Sequence, residues 1–150
     1  MRSFSISTDI QAPTDRVWDV MSDVERWHEW TPSITSVTLL GSGPFAVGSR
    51  ALVRQPKLPP VRWRVTAIEP GRHFEWVSAG PGFRTVAVHR VEANGEGTWA
   101  TLSIEIQGVL GGVLGWLTGA ITERYIGFEA VGLKARSENP AFHSVPIATP

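Results

Sequence analysis

Apolar and polar residues alternate along the first segment of the chain and along most of its middle. Phe4, Ile6 and Thr8 fall on one side of an extended chain, while Ser5 and Asp9 fall on the other. A period of two predicts a β-strand. Six later segments share this character, and each ends at turn-forming residues, Gly, Pro or Asn. The seven predicted strands cover residues 4–10, 34–40, 49–55, 61–68, 73–78, 83–91 and 98–106.

Two short helices are predicted between the first and second strands. Pro13 suits the first position of a helix, where its missing N–H costs nothing, and Asp15 in the first turn is favoured by the helix dipole. Val17, Trp18 and Met21 then supply an apolar stripe. The segment Ser22-Asp23-Val24-Glu25 has the spacing of a capping box and predicts the start of a second short helix.

A single long helix is predicted at the end of the sequence, over residues 109–137. Its apolar residues recur at helical spacing. They are Leu110, Val113, Leu114, Leu117, Ile121, Tyr125 and Phe128. Gly111, Gly115 and Gly119 recur every four residues, although each glycine inside a helix costs about 0.5–1 kcal/mol relative to alanine. Three explanations are open: close approach of helix and sheet, room for a ligand or for motion, or a loop over residues 108–112.

Short connections between successive strands predict an antiparallel meander. The fold class is therefore α+β: a curved seven-stranded sheet closed over one long helix, with a cavity between them of the kind that holds small apolar molecules. The 150 residues suit one domain, which we place at 1–138, followed by a flexible tail at 139–150.

Composition excludes several classes of function. Lys and Arg number 14, as do Asp and Glu, so no general attraction to nucleic acid or anionic lipid is expected. The chain has no Cys, which excludes disulfides and thiolate chemistry. The uncharged stretch 108–122 is shorter than the roughly 20 residues that a spanning helix needs. Together with a start that lacks an apolar signal core, this predicts a soluble cytoplasmic protein without stable membrane insertion.

Several motifs, in this order, resemble the polyketide cyclase/dehydrase branch of the START-like (SRPBCC, Bet v 1-like) superfamily. They are Ile10-x-Ala12-Pro13-x-x-x-Val17-Trp18, Asp23, Trp27-x-x-Trp30-x-Pro32, Gly48, Trp63, Glu69-Pro70-Gly71, Gly97-Thr98 and Leu133-Lys134. The resemblance implies a helix-grip fold, with seven antiparallel strands wrapped around the C-terminal helix and a pocket between them. The superfamily includes carriers, receptors and enzymes, so the resemblance does not fix the function.

Candidate ligand-binding residues lie on the strand and helix faces that are predicted to point inward, and aromatic rings dominate them. They are Trp30, Trp63, Phe74, Trp76, Phe83, Thr85, Ala87, His89, Leu117, Ile121, Tyr125 and Phe128. His89 is the one ionisable side chain on its otherwise uncharged strand face and could exchange a proton near neutral pH. Tyr125, the only tyrosine, is the second candidate for catalysis.

The four histidines are scattered, so neither a metal site nor any cofactor is expected. The preferred function is binding of a small hydrophobic molecule, polyketide-, lipid- or aromatic-like, by a monomer or homodimer. Two alternatives are open. One is a cyclase or dehydratase that moves protons with His89 or Tyr125, and the other is a protein-interaction module.

Overall fold

A computed structural model describes residues 2–139. A seven-stranded antiparallel sheet wraps around a long C-terminal helix, which confirms the predicted fold class. The strands are β1 (Arg2–Ile10), β2 (Ser36–Leu40), β3 (Arg50–Arg54), β4 (Val61–Glu69), β5 (His73–Gly80), β6 (Phe83–Asn94) and β7 (Gly97–Gln107). Helix α1 (Thr14–Ser22) and a 3₁₀ helix (Val24–Glu29) follow β1, and α2 (Gly111–Glu138) ends the described chain.

The sheet order is β1-β7-β6-β5-β4-β3-β2, so the first strand pairs with the last. Every other pairing joins strands that are consecutive in sequence, as the short turns predict. The main core lies between the inner face of the sheet, the two short helices and the carboxyl-terminal half of α2. Val17, Met21, Phe74 and Leu133 are almost fully buried there.

A second short helix begins at Val24 as predicted, but the capping box predicted at residues 22–25 is wrong. Asp23 precedes the 3₁₀ helix without a side-chain cap. The Glu25 carboxylate instead accepts a hydrogen bond from the backbone N–H of Leu39, at 3.1 Å. Glu25 therefore holds the 3₁₀ helix against β2 rather than closing its own helix turn.

The predicted inward stripe of α2 is only partly right. In the first half of the helix the buried positions are Gly111, Gly115 and Gly119, whereas Trp116 is 75% exposed and Leu117 is 65% exposed. Leu110 and Val113 are also exposed. The helix rests on β1 through its glycine edge, and this contact turns the predicted stripe partly toward solvent.

Close packing accounts for Gly115, and a turn accounts for Gly108. A Cβ at position 115 would lie 2.4 Å from Cβ and 2.6 Å from Cγ of Arg2 on β1. Gly108 lies before α2 with φ +99°, a conformation that favours glycine. The loop explanation thus holds for residues 108–110, and α2 begins at Gly111.

Alanine substitutions at Gly115 and Gly119 should have opposite effects. Gly115→Ala should destabilise the protein by about 1–3 kcal/mol, because the stem of Arg2 and the helix must move apart. Gly119→Ala meets its nearest atoms at 3.6 Å, an ordinary contact, and should stabilise by about 0.4–1 kcal/mol. Urea midpoints measure both. A midpoint that rises in both variants would contradict close packing at Gly115.

Within residues 2–139, no helix has the length and apolar character needed to cross a membrane. Of the tail predicted at 139–150, residues 140–150 lie outside the described residues, and so does His143.

Candidate functional site

Two adjoining cavities lie between the sheet and α2. We call the first the outer groove. It has a volume of about 480 Å³ and lies between the first half of α2, the β3–β4 loop and strands β4 to β7. We call the second the inner cavity. It holds about 50 Å³ and lies deeper, under the 3₁₀ helix. Gln55, Trp63 and Ile104 line both, so the two spaces share a wall.

The outer groove is mainly apolar. Phe83 and Thr85 from β6 face Leu114 and Ile121 from α2 across it. Pro59 and its neighbours in the β3–β4 loop form one rim. Alternation along β6 sends every second side chain to this inner face, which is why the sequence pattern could identify Phe83 and Thr85. The groove lies within the 300–1,000 Å³ typical of small-molecule sites.

The inner cavity combines aromatic and polar side chains. Trp27 comes from the 3₁₀ helix, Trp63 from β4 and Trp76 from β5. The Trp63 and Trp76 rings stack at 5.6 Å, and Trp27 meets Trp76 edge-on at 5.4 Å. Ala87 and His89 of β6 also line it. This part of the predicted site therefore comes together in one place.

His89 points into the inner cavity and is held by aromatic rings. It is 6% exposed and stacks on Phe74, with ring centroids 4.4 Å apart and planes 9° from parallel. Burial lowers the pKa of His89 to about 3, so its imidazole is neutral at physiological pH. Its Nδ1 has no hydrogen-bond partner among the described residues. Such a ring is a weak base, but it is available to contact a molecule in the cavity.

Glu129 is the polar residue that the sequence prediction missed. It lines the inner cavity together with His89 and is only 9% exposed. Burial raises the pKa of its carboxyl to about 8, and no described residue pairs with it. Helical spacing was the available signal, because Glu129 lies four residues after Tyr125 and four before Leu133, both of which are buried.

The Tyr125 hydroxyl is already engaged. It donates a hydrogen bond to the carbonyl of Pro56 in the β3–β4 loop. Burial raises the pKa of Tyr125, and Arg124 opposes that shift. The side chain lines neither cavity. Tyr125 therefore ties the loop at the rim of the outer groove to α2, and its proton is not directed at either space.

The remaining predicted residues are distributed as follows. Trp30 and Phe74 are buried in the core, and Leu117 faces solvent, so its predicted inward orientation is wrong. Phe128 is partly buried beneath the guanidinium of Arg124, which lies 5.3 Å from the ring centroid. None of these four lines either cavity. Those that do are Trp63, Trp76, Phe83, Thr85, Ala87, His89 and Ile121.

Among residues 2–139, no three His, Asp or Glu side chains lie close enough together to hold a metal ion.

Solved structures resemble this chain over nearly its whole length. The Zhui aromatase/cyclase from Streptomyces sp. R1128 is 17% identical, with 97% of this chain and 99% of that chain covered and a TM-score of 0.77. A protein from Thermobifida fusca is 16% identical, with the same coverage and a TM-score of 0.75. A protein from Thermus thermophilus is 18% identical, with 93% and 99% covered and a TM-score of 0.74. At these identities the likeness shows the fold.

No curated protein sequence matches the chain. A family model does match, over residues 1–138, and its description is polyketide cyclase/dehydrase and lipid transport. This range contains every strand and helix described above and both cavities. The chain belongs to the polyketide cyclase/dehydrase and lipid transport family.

Proposed function

We propose that this protein binds a small hydrophobic molecule, polyketide-, aromatic- or lipid-like, in the outer groove, with one end reaching the inner cavity. The observation that carries the proposal is the apolar groove of about 480 Å³ that shares Trp63 with the tryptophan-lined cavity behind it. Flat rings at the junction suit an apolar or aromatic partner. The family description, which names lipid transport beside cyclase chemistry, supports the same class of ligand.

The second candidate is an enzyme, a cyclase or dehydratase. One observation favours it: His89 and Glu129 line the same cavity, one as a neutral imidazole and the other as a carboxylic acid. The protonated carboxyl could donate a proton to a departing oxygen, and the imidazole could orient the substrate. Binding is still the better supported function, because a histidine whose pKa is about 3 is a poor general base near neutral pH. Tyr125 cannot replace it while its hydroxyl is bonded to Pro56.

Filling the outer groove should weaken ligand binding. Nile red, an uncharged dye that fluoresces in apolar surroundings, should bind the protein and be displaced by 1-octanol or a polycyclic aromatic hydrocarbon. Thr118→Trp places a large ring in the groove and should weaken dye binding by about tenfold or more. Ala120→Trp, on the exposed side of the same helix, is the matched control and should bind as the wild type does.

Equal loss or equal retention of dye binding in the two tryptophan variants would contradict binding in the outer groove.

The fate of the ligand distinguishes the enzyme alternative from simple binding. A binding protein returns its ligand unchanged, whereas a cyclase or dehydratase returns a molecule that has lost water or gained a ring. Mass spectrometry of a polyketide-type compound before and after incubation distinguishes the two.

A further inference from the structure

We propose that the inner cavity binds the ammonium end of an amphipathic amine whose apolar body lies in the outer groove. This inference rests on the proposed function and specifies the class of ligand. It is carried by the polar atoms of the cavity, the aromatic faces around them and the size of the space.

Hydrogen-bond acceptors predominate among the polar atoms of the inner cavity. Glu129 contributes a carboxyl group that has no partner among the described residues. The Gln55 side chain donates its Nε2–H to the carbonyl of Ser33 at 3.2 Å, which leaves its Oε1 as an acceptor. The indole N–H of Trp27 donates a hydrogen bond to the carbonyl of Met21 at 3.0 Å, so only the ring of Trp27 is available to contact a ligand. An ammonium group offers these oxygens three N–H donors, whereas the protonated carboxyl and the neutral His89 imidazole carry one donor each.

No cation lines the inner cavity, whereas aromatic rings do. Its lining contains no Lys or Arg. Neither the 3₁₀ helix nor β3, β4, β5 and β7 contributes a charged residue to it. His89 of β6 is the only titratable neighbour of Glu129 in the lining, and burial keeps it neutral, so it does not repel a cation. The rings of Trp27, Trp63 and Trp76 surround the space, and indole faces attract cations.

The size of the inner cavity limits which group of the ligand can enter it. A volume of about 50 Å³ holds a few water-sized groups, since one water needs about 10–15 Å³. A primary ammonium with one methylene fits, whereas an aromatic ring does not. Trp63 and Ile104 form walls of both spaces, so an alkyl or aryl body attached to the ammonium can continue into the outer groove.

Binding of an amine should release a proton. In the empty protein at pH 7 the Glu129 carboxyl is protonated, because its pKa is about 8. An ammonium group beside it favours the carboxylate, so R–NH₃⁺ binds, the carboxyl O–H bond breaks and one proton leaves to the buffer. An alcohol of the same length carries no charge and releases none.

The test compares octylamine with 1-octanol by isothermal titration calorimetry at pH 7, in two buffers of different ionisation enthalpy. Octylamine should bind about 10–100-fold more tightly, the range for hydrogen bonds to a charged group, with close to one proton released. Glu129→Gln should remove both the preference for octylamine over 1-octanol and the proton release. Glu123→Gln, at an exposed position on the same helix, should retain both.

Octanol binding equal to octylamine binding, or an amine preference that survives Glu129→Gln, would overturn the inference and leave the proposed function standing. If neither compound bound and Nile red also failed to bind, both proposals would fail. The proton release needs no variant, so the test does not depend on the folding of Glu129→Gln.

Discussion

Replacing Gly132 with Ala should destabilise the protein by about 3 kcal/mol or more, the largest effect that we expect from any single added methyl group. A Cβ at position 132 would lie 1.9 Å from the carbonyl oxygen of Trp30 and 2.9 Å from its carbonyl carbon. These are backbone atoms, so the clash cannot be relieved by a side-chain rotation. The segment that carries them is itself held by hydrogen bonds from the Trp30 and Thr31 N–H groups to Trp27.

Gly127→Ala is the matched control for this prediction. Gly127 lies in the same helix, and a Cβ there would have no atom within 4 Å. It should raise stability by about 0.5–1 kcal/mol, because alanine favours the helix and restricts the unfolded chain. Guanidinium unfolding of both variants measures the difference. A Gly132→Ala variant as stable as Gly127→Ala would contradict the close crossing of α2 over Trp30, and with it the position of the helix above the inner cavity.

Replacing Glu129 with Gln should stabilise the protein by an amount that grows with pH. The pKa of Glu129 is raised in the folded state from 4.5 to about 8, so the folded state keeps its proton while the unfolded chain loses it. Stability is therefore lost as pH rises from about 4.5 to about 8, at up to about 1.4 kcal/mol per pH unit. Gln cannot titrate and avoids this cost. The gap between variant and wild type should be near zero at pH 4 and of the order of 3 kcal/mol at pH 7.

His89 shapes the acid side of the same profile. Its pKa is lowered from 6.5 to about 3 in the folded state, so on acidification the unfolded chain takes up this proton before the folded protein does. The free energy of unfolding therefore falls as pH drops from about 6.5 to about 3. Between pH 4.5 and 6.5 the two groups act in opposite directions and cancel. Wild-type stability should be flat there, and should decline on both sides. Chemical denaturation at half-unit steps measures it.

The exposed Glu123 provides the control for this profile, since Glu123→Gln should follow the wild-type curve. A gap between Glu129→Gln and wild type that is the same at pH 4 and pH 7 would show that Glu129 ionises normally. The inner cavity would then not keep an unpaired carboxyl protonated.

The fold could be predicted because its signals are local. Strand alternation and turn residues fix the meander, and the inward position of Phe83, Thr85, Ala87 and His89 follows from the period of β6 once one inner position is known. A period of two leaves only two choices of face.

The helix faces were harder to predict because a helix can turn continuously about its axis. Apolar residues occupy several sides of the first half of α2, so hydrophobic spacing alone did not exclude Leu117 from the inner face. The glycine edge that rests on Arg2 decides the rotation, and that contact is not local in sequence. The same rotation brings Glu129 into the inner cavity. Sequence reasoning alone predicts that a charged residue on a helix is exposed to solvent.

The most direct test of the binding site follows the tryptophan indole N–H signals by NMR as 1-octanol is added. Trp63 lines both cavities, whereas Trp116 is 75% exposed on α2 and Trp99 is 42% exposed on β7. The Trp63 signal should shift and saturate, with the Trp116 and Trp99 signals unchanged. Shifts confined to Trp116 and Trp99 would place the ligand on the surface and contradict binding between the sheet and α2.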